Sequence, residues 1–256
     1  MAGIEVVSAK PLAQAVLQLA GVELGYGGQT VLRGLDLQVD GGRWIALVGP
    51  NASGKTTLLR CIAGQLPPQR GVVQLQGRAL YPVKEWVGLP GCATAPEDLP
   101  PFLTVRQCLE IYAAANGLES VPAHTTLLCE QLGLRSFEDM LVRSASLGTR
   151  QKLAVVLALM RDAPLLLLDE VFNGLDFGSA LTLKDHLRRR VEGGLSILLA
   201  THSLDVVLAC CDGLLLLDSG RPVRFWDAPE LRSFRSTLEL ERDLAAASRD
   251  VAAGPV

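Results

Sequence analysis

This sequence of 256 residues has no long apolar run, no excess of basic charge and no paired-cysteine spacing. Each absence removes a class of function. The stretches PLLLLDE and GLLLLDS are short leucine runs that end in charge, well below the roughly 18 to 20 residues of a membrane-crossing helix. Any service to a membrane would therefore run through a partner. With 24 Lys and Arg against 27 Asp and Glu, the net charge is -3 and no dense basic tract is present to neutralise a phosphate backbone. Nucleic acid is not an expected partner. The six cysteines (Cys61, Cys92, Cys108, Cys129, Cys210 and Cys211) lack C-x-x-C spacing, and most sit in apolar patterns where cysteine acts as a small hydrophobe. That usage suggests a reducing compartment. The opening MAGIEVVSAKPLAQAVL lacks the basic start, apolar core and cleavage site of a secretory signal, so a cytoplasmic location is expected. No internal repeat or low-complexity tract interrupts the chain.

What is present is apolar: 49% of residues, enough for a sizeable core in one domain. Short apolar runs bounded by turn residues recur at RWIALVG, APLLLLDE, LSILLATH and DGLLLLDSG, and their length fits strands buried on both faces. Helical stretches separate them, which predicts an α/β fold with a mainly parallel sheet. Earlier, LQLAGVELGYGGQTVLRGLDLQVDGG alternates with a period of two around a Gly-Gly turn, predicting an N-terminal antiparallel β subdomain. We expect a single domain over 1–256, with a helical insert at about 97–161 and a C-terminal helix and tail at about 228–256. Leu231, Phe234 and Leu238 recur at helical spacing among charges there, and we read a solvated helix with a frayed end.

The stretch VGPNASGKTTLLR carries Gly49-Pro50-Asn51-Ala52-Ser53-Gly54-Lys55-Thr56, which fits G-x-x-x-x-G-K-[ST]. A predicted strand (Trp44 to Val48) precedes it and a predicted helix (Thr57 to Ala63) follows. Glycines let successive backbone N–H groups turn inward, and the helix start adds unpaired donors and the positive end of its dipole. A polyphosphate fits that concavity. Lys55 would reach the β- and γ-phosphates, and the Thr56 hydroxyl would take one Mg²⁺ position. Downstream, Asp169 and Glu170 end an apolar run, where adjacent carboxylates are costly unless they serve a cation or a reacting group. A solvated strand end is the bland alternative. Beside a phosphate cradle, Asp169 is expected to organise Mg²⁺ and Glu170 to orient the attacking water as general base.

Taken in order, the cradle, SLGTRQK (Ser146 to Lys152), LLLLDE (Leu165 to Glu170), NGLD (Asn173 to Asp176) and THS (Thr201 to Ser203) resemble the nucleotide-binding subunit of an ATP-binding cassette (ABC) transporter. The resemblance runs from about Leu19 to Val223. It implies a P-loop NTPase core that binds ATP and Mg²⁺ through residues 49–57, Thr57 included. It further implies that Tyr26 stacks on adenine and that His202 bonds the γ-phosphate. Ser146 and Gly148 would complete the site of a second subunit, and Asp176 would link the two sites across that dimer. Ser146 also suits the start of a helix, as an N-cap, and Gly148 a close backbone approach. The partners implied are a membrane permease and a second cassette, in a homodimer, with the protein peripheral on the cytoplasmic face. His124 and His186 match no motif and are expected to face solvent.

The chain departs from the family in several places. No glutamine follows the cradle between Arg78 and Arg106, and Glu97 in APEDLPPFLTV takes the best-matching place, from which a carboxylate could hold Mg²⁺ or orient water. Ala145, Leu147 and Thr149 replace the signature's leucine, first glycine and glutamine. Val171 replaces the proline after the catalytic glutamate, which should loosen the backbone there. Glu97 and the SLGTRQK variant resemble cassettes of the type 2 exporter group. The resulting expectation is an ATPase that drives an unknown substrate through a separate permease. Two other readings stay open here: a soluble cassette ATPase with no permease, against which stands the lack of a long heptad tract, and a nucleotide-sensing module that hydrolyses nothing, which the worn signature allows.

Overall fold

The computed structural model describes residues 15–83, 89–93 and 95–252. The leader reading of the first residues and the small-residue end of the C-terminal tail lie outside them. The chain opens on two long strands, β1 (Ala15–Tyr26) and β2 (Gln29–Asp40), paired antiparallel. Gly27 and Gly28 join them with φ of 55° and 86°, the left-handed pair that a two-residue hairpin turn requires. After β3 (Trp44–Val48), the loop over 49–54 and α1 (Lys55–Ile62), strands β4 (Arg70–Leu75) and β5 (Arg78–Ala79) complete an antiparallel sheet of order β2-β1-β4-β5.

A second sheet carries the site. The two-residue β6 (Gly91–Cys92) lies in the proline-rich segment. Helices α2 (Val105–Ala115) and α3 (Ala123–Gln131) follow, then two 3₁₀ turns at 134–137 and 142–144, and α4 (Leu147–Ala158). The chain continues through β7 (Leu165–Asp169), α5 (Phe177–Glu192), β8 (Ser196–Ala200), α6 (Leu204–Cys210), β9 (Gly213–Asp218) and β10 (Arg221–Asp227), and ends on α7 (Ala228–Ser233) and α8 (Thr237–Ala252). The six-stranded order is β10-β9-β3-β8-β7-β6, with only β10 antiparallel to its neighbour. Every residue of β3 and β8 is buried, as strands covered on both faces should be. The sheet order puts β3 between β8 and β9 and brings the ends of β3, β7 and β8 to one edge, where ligands bind in open α/β sheets.

Three expectations are corrected. Helix α1 begins at Lys55, two residues before its predicted start, because Gly54 at φ 102° serves as its N-cap and releases the chain directly into the helix. The C-terminal segment is two helices, parted where Phe234 turns extended, and it is not simply solvated. Leu231, Leu240 and Leu244 are buried in a cluster with Trp226, Val207 and Val48, while Leu238 stays exposed. His186 is half-buried on α5 rather than solvent-facing; His124 is exposed, with its Nε2 3.2 Å from the Met160 carbonyl. Val171, in place of a proline, is fully buried in the main core.

Candidate functional site

The loop after β3 is shaped by backbone that tolerates no bulk. A Cβ at Gly49 would lie 2.0 Å from the Leu217 carbonyl oxygen, and one at Gly54 would lie 2.7 Å from Leu32 Cγ. Ala52 itself is held at φ 63°, a left-handed conformation that costs an alanine roughly 1 to 2 kcal/mol. The loop therefore curls tightly and passes through Gly54 directly into α1. Lys55 is 7% exposed, and its Nζ donates to the carbonyls of Gly49 (2.8 Å) and Pro50 (3.0 Å). Burial pulls its ammonium below the usual lysine value, while Glu170 and Asp169 act in the opposite sense. The Ser53 hydroxyl is buried and has no hydrogen-bond partner.

Across this loop stands the acidic end of β7. The Thr56 hydroxyl donates to Asp169 Oδ2 at 2.7 Å. Glu170 leaves the strand at φ 50°, anchored by its N–H to the Ala200 carbonyl, and so turns its carboxylate toward the end of β8. There Glu170 Oε2 lies 3.4 Å from the Thr201 hydroxyl and from the His202 N–H, and Asn173 Nδ2 donates to it at 3.2 Å. His202 Nε2 stands 3.5 Å from Glu170 Oε1, a buried oxygen with no hydrogen-bond partner. Two segments some thirty residues apart, 170–173 and 201–202, thus meet at one carboxylate.

Two clefts share this floor. One of about 640 Å³ is lined by Asn51 to Thr57, Asp169, Glu170, Asn173 and His202, and on its far wall by Gln29 to Val31 and the Ser219-Gly220 turn. The other, about 690 Å³, also reaches Thr56, Asp169 and Glu170, and places Tyr26, Glu97, Leu147 and Gln151 around them. Tyr26 is about half exposed and Glu97 exposed. Gly49 and Pro50 line neither cleft and present their carbonyls to Lys55.

Ser146, Gly148 and Asp176 line neither cleft. Ser146 caps α4, accepting from the Thr149 N–H at 3.1 Å, and a Cβ at Gly148 would lie 2.7 Å from the Gly174 carbonyl. Asp176 caps α5 through the Ser179 N–H (2.8 Å) and hydroxyl (2.6 Å) and pairs with Lys152 at 3.0 Å. The Ser179 hydroxyl and N–H, then Lys152, hold its carboxyl well below the usual carboxylate range. These residues bind the starts of α4 and α5 together, apart from this chain's own cradle.

Sequence reasoning assigned no role to Asn173, Thr201, Gln29 or Ser219. Asn173 had a local signal, since it follows Glu170 by three residues and returns a turn bond to it at 3.1 Å. The Ser219-Gly220 turn was legible as a turn, but nothing local says that it faces the cradle.

Hard oxygen donors, a buried cationic amine and an unpartnered buried hydroxyl fit a magnesium-bound polyphosphate. Among the described residues no three His, Cys, Asp or Glu side chains cluster for a metal. A cation at Thr56 and Asp169 would therefore complete its shell with phosphate oxygens and water.

Comparison with known proteins identifies the family and the fold. The sequence pattern described as ABC transporter matches residues 32–173. The chain is 33% identical over 213 residues to the Nod factor export ATP-binding protein I of Cupriavidus metallidurans, covering 82% of this chain and 70% of that one. It is 32% identical over 228 residues to the daunorubicin resistance ATP-binding protein DrrA3 of Streptomyces coeruleorubidus, covering 87% and 71%. The matching Nod factor protein of Ralstonia nicotianae, at 33% identity, is spanned over 66% of its length, so the chain covers about two thirds of such relatives. A solved ATP-binding subunit of an ABC transporter superposes with TM-score 0.79 at 29% identity, covering 90% of this chain and 99% of that one. A dimeric ATP-binding cassette bound to ADP and Pi shares the fold, with TM-score 0.74 at 21% identity over 85% of this chain and 100% of its own.

Proposed function

We propose, from the premise that this chain belongs to the ABC transporter family as an ATP-binding ATPase subunit, that it hydrolyses magnesium-bound ATP to drive a substrate through a separate membrane permease. The observation that carries this reading is the Thr56–Asp169 hydrogen bond, which joins the phosphate cradle to the acidic strand end, one residue before the Glu170 that stands beside His202. Export is the direction we favour, because two relatives above 30% identity are a Nod factor export protein and a daunorubicin resistance protein.

In this reading the loop amides and Lys55 bind the β- and γ-phosphates, with Lys55 exchanging its two carbonyl partners for phosphate oxygens. Thr56 and Asp169 hold Mg²⁺, with Glu97 facing the same cleft; the ion's charge would neutralise that developing on the phosphate oxygens. Tyr26 offers a ring for the base at the cleft edge. Glu170 orients a water in line with the γ-phosphate and takes its proton, while Thr201, Asn173 and the His202 N–H keep the carboxylate aimed. His202 Nε2, 3.5 Å from Glu170 Oε1, would turn to donate to a γ-phosphate oxygen.

Ser146 and Gly148, sited away from this chain's cradle, serve the nucleotide of a second copy, and Asp176 holds the segment between the two sites. The dimeric cassette among the structural neighbours supports that arrangement. No helix among the described residues is long and apolar enough to cross a membrane, so coupling would pass through a permease docked on the cytoplasmic face. Phosphate release by Glu170→Gln is the test. Turnover should fall by at least about a hundredfold with nucleotide binding retained, whereas wild-type turnover would remove Glu170 from its role.

A further inference from the structure

His202 sits at a joint with few bonds of its own. On one side the Thr201 N–H donates to the Leu47 carbonyl at 3.1 Å and fixes the end of β8 to β3. On the other, α6 starts at Leu204 with no side-chain cap from Ser203. The contacts from His202 to Glu170 are 3.4 and 3.5 Å, long enough that they do not by themselves hold the imidazole. A helix of seven residues is not stable alone, so the placement of α6, and of the histidine before it, rests on packing.

That packing comes from two sides. Val206 and Cys210 face the main core. Val207, with Leu204 and Leu208 against it, faces a separate small cluster. The same cluster contains Ala46 and Val48, so it touches both the strand that feeds the phosphate loop and the helix that follows His202. Its cover is supplied by α8, through Leu240 and Leu244 at helical spacing.

What docks α8 is a polar latch. The Trp226 ring is fully buried in the cluster, and its indole N–H donates to Asp243 Oδ2 at 2.8 Å. Arg224 lies over that ring at 4.6 Å and reaches the same Asp243 oxygen at 3.3 Å and Glu230 at 2.9 Å. A buried indole N–H without an acceptor is costly, so Asp243 is bound to be the point where α8 must register. We propose that the Trp226–Asp243 latch seats α8 as a brace behind α6, making both positioning residues for His202 in hydrolysis. The proposal rests on the role given above to His202.

Two measurements on the full chain test it. Hydrogen–deuterium exchange should rise in 203–210 for Asp243→Ala and for Trp226→Phe, while 55–62 stays at the wild-type rate. Steady-state phosphate release should show kcat lowered about three- to tenfold with KM for ATP within about twofold. Asp243→Asn, which keeps an oxygen to accept the indole N–H, should restore most of the loss. In a His202→Ala background, Asp243→Ala should cost nothing more, because the two act through one group. Unchanged exchange in 203–210, or losses that multiply in the double mutant, would overturn the brace. Wild-type turnover in His202→Ala alone would instead remove the histidine from the proposed reaction, and the exchange data would still judge the brace.

Discussion

Thr56 and Asp169 stand 113 residues apart in sequence, and the hydroxyl of one donates to the carboxylate of the other across 2.7 Å. Each is a hard oxygen donor, and their separation is what a shared cation would bridge once the direct bond gives way.

Replacing either donor should therefore act first on metal use. Thr56→Ala is expected to raise the Mg²⁺ concentration for half-maximal phosphate release by about ten- to a hundredfold, and Thr56→Ser to leave it close to wild type. A magnesium titration of turnover reads this directly; an unchanged requirement in the alanine variant would separate Thr56 from the cation.

The loop glycines and Ala52 should respond in opposite senses. Gly49→Ala drives a methyl to 2.0 Å from a backbone carbonyl that has nowhere to move, so nucleotide binding should be lost and the melting temperature lowered. Ala52→Gly relieves a left-handed alanine at φ 63° and should leave nucleotide binding intact. Its stability should change by no more than about 1 kcal/mol, since relief in the folded state is offset by added freedom in the unfolded one. Thermal melts with and without ATP distinguish the two.

His186 predicts a loss of stability on the acid side. Burial pulls its imidazole below the usual histidine value, and Arg190, Arg189 and His124 push the same way. The folded state then takes up the proton less readily than the unfolded one. Its stability is complete above about pH 6.5 and declines as pH falls through that value toward the lower folded-state one. Melting temperatures from pH 7.5 to 5.5 should fall for the wild type and fall less for His186→Gln. Parallel curves would show that other groups govern the acid limb.

Much of the site was legible because its chemistry is local. Glycine spacing, a lysine and a hydroxyl at the join of a strand and a helix define the loop from 49 to 56, and the hydroxyl at Ser146 marks a helix start with no help from the rest of the chain. The apolar runs that became β3, β7, β8 and β9 announced buried strands in the same way. Less legible were positions whose meaning comes from what is placed opposite. Helical spacing in the last segment is the same for a solvated helix as for one that buries Leu240 and Leu244, and only the cluster with Trp226 and Val207 tells them apart. The turn at Ser219 and Gly220 was evident, whereas its place on the wall of the cradle was not.

By itself, then, the sequence determined the phosphate loop, the strands and the order of the motifs, since these depend on backbone freedom and periodicity over a few residues. Tertiary structure decided that Thr56 meets Asp169, that Glu170 turns to Thr201 and His202, and that α8 closes over α6. Those pairings follow from strand order, which places β3 between β8 and β9. Strand order is fixed by how apolar faces are buried together across the whole chain, and no local window of residues carries that information.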